Sequence, residues 1–142
     1  MRVRQVSRLL TRNYDECLRP LGIQETQFSL LVAVAMCGED GVVMGVLAGK
    51  LVMDRTTLTR NIGPLEKAGY LRVARSPTDA RARVILLTRA GERLIEAAYP
   101  LWEEAQSKIR GALGDERFEA LRSQLSEVLT FADKLEVGAA AE

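Results

Sequence analysis

A mainly helical fold with a small two- to three-stranded β-wing is the class this sequence predicts, and three observations carry it. Apolar residues recur every three or four positions along most of the 142 residues, the period of amphipathic helices. That period lapses over residues 70–74 and 84–87, where β-branched and apolar residues cluster on either side of a polar stretch at 76–82, as in a hairpin. Just before the hairpin stand a short helix, a turn, and a second helix opening on Asp54-Arg55-Thr56-Thr57. Helix, turn, helix and hairpin in that order make a winged helix-turn-helix. Such an arrangement binds rather than makes bonds, setting one helix in a DNA groove with a basic loop beside it.

From the N-terminus, Val3, Val6, Leu10, Tyr14, Cys17 and Leu21 form the stripe of a first helix that Pro20 and Gly22 end. A second helix starts at about Glu25, turns Phe28, Leu31, Val32 and Ala35 inward, and stops near Gly38, where GEDG reads as a turn. A short helix is expected at about 44–51 with a poorly marked start: no Ser, Thr, Asp or Asn precedes it, and Gly45 lies inside. Asp54 is suited to cap the next helix, since its carboxylate can accept from backbone amides two or three residues on. Leu58, Ile62 and Leu65 form that helix's inward face, and Gly69 ends it. After the hairpin, Thr88 caps a long helix bearing Leu94, Ala98, Leu101, Trp102, Ala105 and Ile109. A kink is expected at Pro100 and a break at 111–115. A last helix carries the cleanest stripe, Phe118, Leu121, Leu125, Val128, Leu129, Ala132 and Leu135, before a tail at 137–142 that is expected to fray.

The whole chain, 1–142, is read as one domain. Its lobe at 23–88 can bury its own core, yet segments 1–22 and 89–137 add three further apolar stripes from opposite chain ends. Packing them together and against the same helices of a second copy is the economical solution, so a homodimer is expected. The alternative is a helical bundle within one monomer.

Composition removes most other classes. There is no histidine, hence no imidazole base, no imidazole-dependent triad and none of the commonest transition-metal ligand. Cys17 and Cys37 are too few and too far apart for a metal motif or a disulfide framework. Neither an enzyme, a metal nor a cofactor is expected. No apolar run approaches the ~18 residues that span a membrane. The opening MRVRQVSRLLTRNYDE is broken by Arg every few residues and lacks a small-residue cleavage site, so a cytoplasmic location is expected.

Net charge is only +1, but it is segregated. Residues 1–41 are neutral, residues 42–88 hold eight basic against three acidic side chains, and residues 89–142 hold seven against eleven. A basic middle between neutral and acidic flanks is the footprint of a DNA-contacting surface. Within it Arg55 and Arg60 suit guanine, Asn61 suits adenine, and Thr56 and Thr57 offer methyls to thymine or hydroxyls to phosphate. The loop Ser76-Pro77-Thr78-Asp79-Ala80-Arg81-Ala82-Arg83 offers Arg81 and Arg83 to DNA and can lay an Arg into a narrowed minor groove, with Asp79 paired to an Arg to shape the tip. The rival from another class is a winged-helix scaffold that contacts protein and not DNA. Positive charge on both helix and wing is what such a scaffold does not require.

Three segments, LGIQETQFSLL, LAGKLVMDRTTLTRNIGPLEKAGYLRV and SPTDARARVILLTRAGERL, resemble the MarR family of winged-helix regulators in order and spacing. The D-x-R wing, followed by a strand ending in Leu-Thr and then Ala-Gly, is the most specific element. The resemblance implies an obligate dimer joined through the first and last two helices, Arg81 as minor-groove arginine with Asp79 its wing partner, and residues 54–61 as the groove-reading end. It also implies a ligand-responsive repressor, with a cleft for a small aromatic or phenolic effector that Arg12, Tyr14, Phe28 and Trp102 are placed to line. Val43-Met44-Gly45 departs from the polar start usual in relatives. Cys17 lies near the end of the first helix beside Asp15 and Glu16, which disfavour a thiolate, and Cys37 reads as core.

Overall fold

The computed structural model describes the backbone of residues 1–136 and the side chains of residues 1–131. The fraying tail, residue 137 of the expected C-terminal segment, and the side chains of Ala132 and Leu135 lie outside the described residues. In chain order the elements are α1 Arg2–Leu18, a 3-10 turn Arg19–Leu21, α2 Glu25–Ala35, β1 Val42–Val43, α3 Met44–Lys50 and α4 Arg55–Lys67. They continue with β2 Leu71–Arg75, β3 Arg83–Leu87, α5 Arg89–Leu113 and α6 Asp115–Glu136. Among the described residues no helix is long and apolar enough to cross a membrane. The chain divides into two compact units, Met1–Glu104 and the part beginning at Ala105.

The first unit is held by one apolar core. Leu18, Leu30, Leu31, Leu47, Leu58 and Leu65 are almost wholly buried in it, joined by Phe28, Val34, Leu71 and Ile85. Each such side chain contributes roughly 1.5–3 kcal/mol by leaving water. In α2 the inward face is Phe28, Leu30, Leu31 and Val34, and Ala35 is exposed. The expected stripe had the period right and its phase shifted, because all seven residues Leu30–Met36 are apolar, so no polar face marks the outside there. In α1 only Cys17 and Leu18 are buried, and Val3, Val6 and Leu9 stand exposed.

The sheet has the order β1-β3-β2, antiparallel throughout. Val42 pairs with Ile85 and Val43 with Val84, so the two-residue β1 supplies the third strand. Gly41 precedes it at φ 73°, and a Cβ there would stand 2.4 Å from the Ile85 carbonyl oxygen. β2 pairs with β3 from Leu71↔Leu87 to Arg75↔Arg83.

Thr88 ties the sheet to α5. Its hydroxyl lies 2.6 Å from the Gly69 carbonyl oxygen and 3.0 Å from that of Tyr70, and it accepts the Gly91 amide at 3.1 Å, capping the helix as expected. Gly91 is buried against this junction, where a Cβ would lie 2.3 Å from the Tyr70 carbonyl oxygen and 2.7 Å from Leu87 Cδ1. α5 then runs without a break through Pro100 to Leu113. Pro100 and Glu96 are exposed, so the carbonyl that loses its helical donor at Pro100 can turn to water instead.

In the second unit α5 ends at Gly114, φ 83°, whose amide donates to the Arg110 carbonyl at 2.8 Å. The Arg110 guanidinium sits 4.5 Å from the Phe118 ring centroid and pairs with Asp115 at 3.2 Å and Glu119 at 3.0 Å. Phe118 is buried and Leu121 half-buried, while Leu125, Val128, Leu129 and Phe131 are at least 50% exposed.

Candidate nucleic-acid interface

Asp54 fixes the start of α4. Its carboxylate accepts the Thr57 amide at 2.8 Å and the Thr57 hydroxyl at 2.6 Å. The Thr57 hydroxyl, and after it the Thr57 amide, hold the Asp54 pKa below the usual carboxylate range. The turn that leads in from α3 passes through Val52 at φ 51°, a left-handed conformation for a β-branched residue, at a cost of roughly 1–2 kcal/mol. The Val52 and Met53 amides donate to the Gly49 and Ala48 carbonyls at 3.1 and 2.9 Å, which holds that geometry.

Leu58, Ile62 and Leu65 anchor α4 to the core, and this fixes what the helix presents outward. Arg55, Thr56 and Arg60 are exposed and, with Thr59, line a shallow concavity. No acidic side chain among the described residues pairs with Arg55 or Arg60. Thr57 and Asn61 lie on the other flank, half-buried, and the Asn61 amide donates to the Thr57 carbonyl at 2.9 Å. The structure therefore groups Arg55, Thr56 and Arg60 as outward groups and turns Thr57 and Asn61 back on their own helix. Thr59, not singled out within 54–61 by the sequence reading, belongs with the first group. Its spacing was the available signal, since it follows Arg55 by four residues and so shares that side of the helix.

The tip of the wing is organised by two small polar side chains. Ser76 Oγ accepts from the Thr78 and Asp79 amides, each at 3.3 Å, and Asp79 Oδ1 accepts the Arg81 amide at 2.9 Å. The Ser76 amide donates to the Ala82 carbonyl at 3.0 Å and the Ala82 amide to the Asp79 carbonyl at 3.0 Å, closing the loop. Asp79 thus shapes the tip through the backbone of Arg81. The side-chain pairing with an Arg expected from the sequence is replaced, because a two-residue step brings the carboxylate to an amide more readily than to a guanidinium. The Arg81 and Arg83 side chains are exposed. Arg83 also faces Arg75, likewise exposed, on the last rung of the hairpin. The sequence reading missed Arg75, whose place opposite Arg83 appears only once the register is known.

Of the four residues expected to line an effector cleft, Phe28 is 4% exposed within the core. Its inward position follows from the same stripe that carries Leu31. Tyr14 and Trp102 stack with centroids 6.4 Å apart, and Tyr99 extends the row at 5.9 Å from Trp102. Burial first, and then the Glu25 carboxylate, push the Tyr14 phenol up. Arg12 is exposed, its Nε 3.8 Å from Glu16. Cys17 is buried, and the half-buried Cys37 donates from Sγ to the Ala33 carbonyl at 3.2 Å.

A family model described as MarR family matches residues 21–82. The fold is similar to that of the M. tuberculosis transcriptional regulator MosR in complex with DNA, at 32% identity, TM-score 0.80 and 94% coverage of each chain. The sequence is similar to the transcriptional activatory protein BadR of Rhodopseudomonas palustris, 28% identical over 99% of this chain and 82% of that one. It is also similar to the transcriptional repressor MprA of Escherichia coli, 25% identical over 89% of this chain and 72% of that one.

Proposed function

The chain belongs to the MarR family of winged helix-turn-helix, DNA-binding transcriptional regulators, which are not enzymes, and on that premise we propose that it acts in the cytoplasm as a homodimeric repressor of a pseudo-palindromic operator. In this reading α4 enters the major groove, Arg81 and Arg83 reach the flanking minor groove, and two copies engage half-sites about one helical turn apart. The observation that carries it is the set of exposed arginines without acidic partners among the described residues on both reading elements, Arg55 and Arg60 on α4 and Arg81 and Arg83 on the wing. MosR, similar over nearly the whole chain, is itself bound to DNA.

The dimer is supported by apolar surface left in water. Val3, Val6 and Leu9 on α1, and Leu125, Val128 and Leu129 on α6, are between 47% and 81% exposed. An exposed apolar stripe on each of these helices is what a second copy covers. Segments 1–22 and 89–137 are accordingly the dimerisation helices, and 23–88 the DNA-binding lobe. Repression is the sign proposed, because occupancy of a promoter suffices for it. The row Tyr14–Trp102–Tyr99, with Arg12 on the same helix as Tyr14, has the chemistry to hold a small aromatic or phenolic anion that releases the operator.

The test is a mobility shift of the purified protein on its own upstream region at several salt concentrations, followed by transcription from that promoter in vitro. Affinity falling steeply with salt, together with loss of transcript, supports the proposal. Salt-insensitive or absent binding favours the scaffold, and gain of transcript makes the protein an activator.

A further inference from the structure

Three threonines crowd the reading end of α4, and the structure commits their hydroxyls differently. Thr57 gives its hydroxyl to Asp54. Thr59 gives its hydroxyl to the Arg55 carbonyl, 2.8 Å away, an i−4 bond along its own helix. Thr56 makes no side-chain hydrogen bond among the described residues. Thr56 and Thr59 are both exposed and share a concavity with Arg55 and Arg60. A threonine whose hydroxyl proton is spent inward can no longer donate to a phosphate or a base acceptor, which leaves its methyl and an accepting oxygen. A guanidinium selects guanine, a free hydroxyl takes a phosphate or a base edge, and a methyl selects the one base with a methyl in the major groove, thymine.

Resting on the proposal that α4 reads the major groove, we propose that Thr59 is a specificity-determining residue that reads a thymine methyl through its own methyl group. Thr56 supplies the polar contact beside it, and Thr57 reads nothing because it is part of the helix cap. The half-site then has a thymine next to the guanine positions read by Arg55 and Arg60.

The probe is the duplex recovered by selection from a random library with the full-length protein. Each thymine of one half-site is replaced in turn by deoxyuridine, which removes the methyl and leaves base pairing intact. One thymine per half-site should weaken binding about three- to fivefold on replacement, the factor expected for one buried methyl. Thr59→Ser, which keeps the hydroxyl and loses the methyl, should bind the thymine and uracil duplexes alike. Thr59→Val, which keeps the methyl and loses the hydroxyl, should still discriminate. This double comparison separates the contact from any effect of uracil on duplex shape. Failure of selection to enrich any sequence overturns the DNA reading itself. Successful selection with no uracil-sensitive position, or with a sensitivity that persists in Thr59→Ser, overturns the role of Thr59 alone.

Discussion

Replacing Gly91 by alanine tests whether close packing or helix propensity decides the junction between sheet and α5. Propensity alone favours the change, since alanine in a helix is worth roughly 0.5–1 kcal/mol over glycine. Space opposes it. The new Cβ would lie 2.3 Å from the Tyr70 carbonyl oxygen and 2.7 Å from Leu87 Cδ1. Leu87 can turn away, but Tyr70 O belongs to the backbone and also bonds the Thr88 hydroxyl and amide at 3.0 and 3.2 Å. Relieving the contact means moving β2 and α5 apart by about an ångström and stretching both bonds. Overpacking of this kind costs about 1–3 kcal/mol, so a net loss of roughly 1–2 kcal/mol is expected. In a chain of this length that lowers Tm by about 3–8 °C. Urea unfolding at one fixed protein concentration, which holds any dimer contribution constant, should show a lower midpoint with an unchanged slope. Gly49→Ala is the control, because Gly49 lies in α3 with nothing within 4 Å of its Cβ, and it should not destabilise. A Gly91→Ala protein as stable as the parent would refute the steric argument.

Arg81→Ala should lower the slope of log affinity against log salt by about one unit, whereas Asp79→Ala should weaken specific binding and leave that slope nearly unchanged, both read by titration at several salt concentrations. Tighter operator binding by Asp79→Ala would show that its carboxylate only opposes DNA charge. The Asp54 pKa is lower in the folded protein than in the unfolded chain, so its stabilisation is complete above the ordinary carboxylate range and lost as pH falls through the folded value. A carboxyl titration by NMR should place Asp54 below the ordinary carboxylate range, and Asp54→Asn should remove that part of the acid sensitivity. Val6→Asp on the exposed stripe of α1 should shift sedimentation towards monomer and reduce operator affinity, and an unchanged dimer would remove α1 from the interface.

Much of the fold was legible because its signals are local. Asp54 at a helix start, Thr88 after a strand and the arginine-bearing loop at 76–83 each specify their element through nearby backbone. What escaped depended on partners distant in sequence or on competition between neighbours. β1 is two residues long and exists by pairing with Val84 and Ile85 some forty positions on. Leu30 and Val34 displaced Ala35 from the core because α2 from Leu30 onward is apolar all round, so tertiary packing chose the face. The candidate site was readable to the level of the helix and loop. Asn61 has the right chemistry for adenine, and one of its amide hydrogens goes to the Thr57 carbonyl, which residue type alone does not show.

The facing arginines at the root of the wing tie two properties together. Like charges on one rung cost the free hairpin a few tenths of a kcal/mol, up to about 1, and an anion settled between them removes that cost. Linkage is reciprocal: whatever stability a phosphate lends the strands, the strands return as affinity for the phosphate. An uncharged residue in place of Arg75 would firm the hairpin in isolation and slacken its grip on any polyanion in the same stroke. Stiffness and hold at this rung cannot both be raised, and the pair of arginines sets the compromise in favour of hold.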